Sequence, residues 1–89
     1  LVPDHATLAD TNQQAWTLPA TGASGGWWVR IYSTSDCYFV YPAAVSDGAA
    51  LPTTAYLTIP GGTPTPILVN GTTFAVAGAA SQVIEVVAS

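Results

Sequence analysis

Charge is what this chain of 89 residues lacks most: Arg30 is its only Lys or Arg, and His5 its only histidine. Charged residues make up 7% of the chain, against about 25% in an ordinary globular domain. Five acids leave a formal net charge of -4 and a pI near 4.1. Nucleic acid is disfavoured as a partner, because neutralising phosphates takes many Lys and Arg side chains. An anionic membrane surface is disfavoured for the same reason. Paired cysteines are missing too. Cys37 is alone, so it has no internal disulfide partner, and its place at the head of an apolar run predicts a small buried hydrophobe. No run approaches the roughly 18–20 apolar residues that cross a bilayer, and no charged segment precedes a leader-like core, so the chain reads as soluble. Methionine is absent, and Leu1 is not what removal of an initiator Met ordinarily leaves. Trimming or an upstream segment stays open.

Catalytic chemistry is short of parts. A Ser–His–Asp triad would have to use His5, which sits in a polar N-terminal segment beside Asp4. Sugar hydrolysis needs a suitably spaced carboxylate pair. Asp36 and Asp47 instead fall in turn-like contexts, where an Asp bonds its own backbone. Glu85 lies between Ile84 and Val86, facing away from both, and is expected to be solvated or paired with Arg30. One Cys and one His do not make a zinc site, and no Asp-x-Asp-x-Asp loop offers calcium ligands. Gly25-Gly26 and Gly61-Gly62 lack the Lys of a phosphate loop. The residues predict no enzyme, no metal and no cofactor, and a small-molecule ligand is not expected.

What is present is apolar and turn-rich. Hydrophobic residues make up 49%, with eight Gly and seven Pro as punctuation. Strand-like runs cover Trp27–Ser33, Cys37–Tyr41, Ala55–Ile59, Pro66–Val69, Thr72–Ala77 and Gln82–Ala88, with a further short run at Ala15–Leu18. Residues 27–33 alternate, placing Trp27, Val29 and Ile31 on one face and Trp28, Arg30 and Tyr32 on the other. Asn70-Gly71 predicts a two-residue hairpin turn. The expected fold is all-β, a small antiparallel β-sandwich or barrel of about six strands with an extended N-terminal arm. Residues 1–26 form that arm and a Gly/Ser/Ala-rich loop, pinned at Trp16, and residues 27–89 form the β-sandwich domain.

With so little repulsion and so much apolar surface, such a chain works by holding or covering something. The aromatic set admits three readings: a protein interface, plain packing, and a stacking platform for sugar rings. Trp16, Trp27, Trp28, Arg30 and Tyr32 are the candidate contact residues, since Trp, Tyr and Arg are the usual interface anchors.

Four segments together resemble a known class. They are Ser33-Thr34-Ser35-Asp36-Cys37-Tyr38, Leu57-Thr58-Ile59-Pro60-Gly61-Gly62-Thr63-Pro64, Ile67-Leu68-Val69-Asn70-Gly71 and Ala79-Ala80-Ser81-Gln82-Val83-Ile84-Glu85-Val86. Over about residues 27–88 the chain resembles small tailed-phage head proteins, some of which are capsid decoration, or cement, proteins. The resemblance implies a β-sandwich on the outside of an icosahedral capsid, bound to the major capsid protein as a homotrimer at threefold positions. Two other readings stand beside it: a small carbohydrate-binding or adhesion module of a fibre or spike, and a fragment of a larger secreted β-protein.

Overall fold

Alternation along the strands decides which side of each is buried. Val29 and Ile31 are fully buried, while Trp28 and Arg30 between them are exposed. The computed structural model describes residues 4–19 and 26–88. Within them the chain forms β1 (Asp4–Thr7), β2 (Gln14–Thr17), β3 (Trp27–Tyr32), β4 (Cys37–Val40), β5 (Leu57–Ile59), β6 (Thr65–Val69), β7 (Thr73–Ala77) and β8 (Val83–Ala88). No helix occurs among the described residues. The fold is all-β: two four-stranded antiparallel sheets, ordered β1-β8-β3-β6 and β2-β7-β4-β5.

Two expectations change here. The described residues form eight strands rather than about six, and the expected arm supplies an edge strand to each sheet. β1 pairs with β8, and β2 with β7. Backbone groups in a polar segment still need partners, and an open sheet edge provides them. The part of the expected loop at residues 20–25 lies outside the described residues. The Asn70-Gly71 hairpin is also overturned. β6 and β7 belong to different sheets, so residues 70–72 carry the chain across the sandwich. Neither Asn70 nor Gly71 has the positive φ that a two-residue hairpin turn requires.

The pairs β1–β8, β2–β7, β3–β6 and β4–β5 nest inside one another. They are the rungs of one long hairpin rolled into two sheets. Every connection except β4 to β5 passes from one sheet to the other. This is the double Greek-key arrangement of a jelly roll.

The core lies between the sheets. Val29, Ile31, Val69, Ile84 and Val86 face Cys37, Phe39, Ile59, Phe74 and Val76. Trp16, Phe74 and Phe39 stack in sequence, with ring centroids 5.6 and 5.5 Å apart. Each such aromatic pair contributes about 0.5–1.5 kcal/mol beyond simple burial. Gln82 closes one end of the sandwich. Its Oε1 accepts from Ala79 N (2.8 Å), and its Nε2 donates to Ser33 Oγ (2.8 Å) and Ser35 O (3.0 Å). The turn at 60–62 sits against the turn at 33–36, where a Cβ on Gly61 would lie 2.6 Å from Ser35 Cα. Only glycine permits that approach.

The two outer faces differ. On the second sheet, Val40, Ala75 and Ala77 occupy outward register positions beside Tyr38 and Ala15. They are nonetheless buried, and they stand outside the inter-sheet core. The connection from β4 to β5 is tied down on this side of the sheet, with Asp47 Oδ1 accepting from Ala15 N, and we assign their burial to it. Tyr56 near its end meets Tyr38 edge-on, centroids 5.4 Å apart. Gln13, 4% exposed, holds this flap down. Its Nε2 donates to Ala44 O (3.1 Å) and Ala50 O (3.0 Å), and its Oε1 accepts from Ser46 N (3.1 Å). Its backbone N donates to Ala49 O, and its carbonyl accepts from Gly48 N.

Gln13→Ala keeps the two backbone bonds but leaves Ala44 O, Ala50 O and Ser46 N without their side-chain partner, at a cost of about 1–3 kcal/mol. The expected result is a lower urea midpoint together with fast amide exchange across residues 42–56. Exchange as slow as in the parent chain would show that apolar contact alone holds the flap.

Candidate interaction face

Among the described residues the first sheet has no such cover. Register places Trp28 opposite Leu68, and Arg30 opposite both Pro66 and Val87. Tyr32 stands opposite Glu85, Glu85 opposite His5, and Val83 opposite Thr7. Directly paired residues of antiparallel strands share a face. All of these therefore point away from the core. Trp28 is 55% exposed, Leu68 44% and Val83 49%. Trp28, Arg30, Pro66 and Val87 line a shallow hollow of about 290 Å³. Pro66 is tolerated because β6 is an edge strand, where a missing N–H costs no ladder bond.

The candidate residues divide between this face and the core. Trp28, Arg30 and Tyr32 come together on the open face. Trp27 packs against the core, with its Nε1 donating to Pro19 O at 3.1 Å. Trp16 lies nearly parallel to Phe74, and its Nε1 donates to Asp4 Oδ2 at 2.8 Å. Because Asp4 is on β1 and Trp16 on β2, this bond ties the edges of the two sheets. Leu68, Pro66, Val87 and Val83 belong to the face and escaped sequence reasoning. Their alternation along β6 and β8 was visible, but the pairing that sets them beside Trp28 and Arg30 was not.

The ionisable groups are placed differently from expectation. Asp36 Oδ1 accepts from Gly61 N (2.8 Å) and Asp47 Oδ1 from Ala15 N (2.9 Å). Both latch distant segments, where local turn bonds were expected. Glu85 pairs with His5, Oε2 to Nε2 at 3.1 Å, and not with Arg30. The Arg30 side chain has no hydrogen bond or ion pair among the described residues. A second hollow, about 430 Å³, is lined by Asp10, Asn12, Gln14 and Asp47 among others. There Asp10 Oδ1 accepts from Asn12 N, and Asp47 Oδ1 is already held by Ala15. No group of three or more His, Cys, Asp or Glu able to hold a metal ion forms among the described residues.

Cys37 is fully buried, as the sequence predicts. Burial, assisted by the neighbouring Asp36 carboxylate, pushes its thiol from 9.0 up to about 11. A raised pKa in the folded state stabilises fully below the unfolded value and is lost as pH rises through the folded one. The Cys37 contribution therefore falls away between pH 9.0 and about 11. Thiol reagents at pH 8 are expected to label Cys37 only in denaturant, and Cys37→Ala removes its share of the alkaline loss. Rapid labelling of the native chain would contradict this burial.

Comparison of the chain with family models, with curated proteins and with solved structures gives no match.

Proposed function

We propose that this chain is a non-enzymatic structural protein of a virion. In this reading it is a decoration, or cement, protein that binds and stabilises the outer surface of a phage capsid. The observation that carries the reading is the contrast between the two outer faces, one sealed by its own flap and the other open and apolar around Trp28. An open patch of this kind on a nearly uncharged chain suits a protein partner. Jelly rolls serve viral capsid proteins, lectin domains and cupins alike. The fold therefore admits the reading without choosing it, and the open face is what supports it. The partners are the major capsid protein and further copies of the chain, as a homotrimer. Nucleic acid, membranes and cofactors have no part. Trp28, Arg30 and Tyr32 form the contact with Leu68 and Pro66, while Trp16 and Trp27 act as packing residues behind it. A protein that binds the assembled lattice and not its free subunits stabilises the shell by mass action.

A second reading has its own observation. The exposed Trp28 ring beside a shallow hollow is also the shape of a sugar-stacking platform, which would make the chain a carbohydrate-binding or adhesion module.

Copy number in purified particles separates the two. Hundreds of chains per particle, on the order of the capsid subunit count, are expected for a shell component, while absence from particles would remove the virion reading. Trp28→Ala combined with Tyr32→Ala is expected to weaken particle binding by about 2 kcal/mol or more, the scale of an interface anchor. Saturable quenching of Trp fluorescence by glycans, lost in Trp28→Ala, would favour the second reading.

A further inference from the structure

We propose that Arg30 is the specificity anchor of this face and receives a carboxylate of the docking partner, an Asp or Glu side chain framed by apolar residues. The inference rests on the reading of this face as the docking surface and names what the partner must present there. Three observations carry it. Arg30 is the sole Lys or Arg of the chain. It stands in the hollow formed with Trp28, Pro66 and Val87. It has no anion of its own among the described residues, because Glu85, the acid on the same face, stands opposite Tyr32 and is bonded to His5.

A partner cannot cover Trp28 and Pro66 without also covering Arg30, because the three line one hollow. A guanidinium taken out of water without an anion opposes binding strongly, so a partner offering only apolar surface would be rejected. Supplying a carboxylate reverses the sign. The planar guanidinium fork matches the two carboxylate oxygens, and the apolar collar strengthens each charge-assisted hydrogen bond. Polyanions fit poorly, since a phosphate backbone needs many cations and this chain offers one. One cation that docking buries in an apolar frame calls for one carboxylate.

The test titrates stripped capsid shells with the parent chain and with Arg30→Gln, Arg30→Lys, Arg30→Glu and Trp28→Ala. Arg30 is exposed, so these variants keep the fold, which the thermal melt verifies. Arg30→Gln is expected to weaken binding by about tenfold or more, with Arg30→Glu weaker still. Arg30→Lys should fall between Gln and the parent, because an ammonium lacks the fork. Arg30 is also the only arginine, so phenylglyoxal reports on one side chain by intact mass. Docking on shells should protect it. If Arg30→Gln binds like the parent, or the docked chain is modified as fast as the free one, the carboxylate proposal is overturned. In that case loss of binding in Trp28→Ala would leave the docking face standing. If the parent chain does not bind shells at all, both fall.

Discussion

The hydrogen bonds of the Gln13 side chain decide what this molecule shows to its surroundings. A four-on-four sandwich buries one face of each sheet and leaves two outer faces to account for. Gln13 uses its amide NH₂, its amide oxygen and its backbone to hold the connection between β4 and β5 over the second sheet. A neutral amide suits this position, since burying it costs no charge desolvation once its partners are in place. Val40, Ala75 and Ala77 are thereby sealed. Of the exposed large hydrophobics, Trp28, Leu68 and Val83 stand on the other sheet, while Leu57 lies at the β5 edge of this one.

That asymmetry gives a low-charge protein a direction. Were both faces open, the chain would present two apolar surfaces and stack without limit, with little repulsion to oppose it. With one face sealed, a single open apolar face around Trp28 remains. The polar contacts that stabilise the fold itself run through amides and through carboxylates accepting from N–H groups. Gln82 joins the turn before β8 to the turn between β3 and β4, and Asp36 and Asp47 accept from distant backbone N–H groups. The His5–Glu85 pair is exposed and adds little. The Arg30 side chain is left out of this internal network.

Much of the strand pattern was legible in the sequence, because alternation is a local property. Trp27 to Tyr32 shows its buried and exposed sides without reference to any other segment, and the burial of Cys37 follows from its apolar neighbours. The N-terminal quarter was less legible. Asp4–Thr7 and Gln14–Thr17 carry weak apolar signals and become strands because open sheet edges accept their backbone bonds. Asn70-Gly71 has the composition of a tight hairpin turn and instead leads the chain from one sheet to the other. Turn composition says where a strand ends, and the partner of the next strand says where the chain goes.

The sequence by itself determined an all-β chain, its apolar core positions, the shared face of Trp28, Arg30 and Tyr32, and the shortage of charge that turns attention from chemistry to contact. Only the tertiary structure decided that Leu68, Pro66, Val83 and Val87 complete that face, that the opposite face is sealed, and that Glu85 answers His5 and leaves Arg30 unpaired. The physical reason is range. Side-chain direction repeats every two residues and is written into each strand, whereas the nested pairing joins residues as distant as His5 and Glu85. Many sequence-local patterns are compatible with more than one such pairing, and burial of the whole core selects among them.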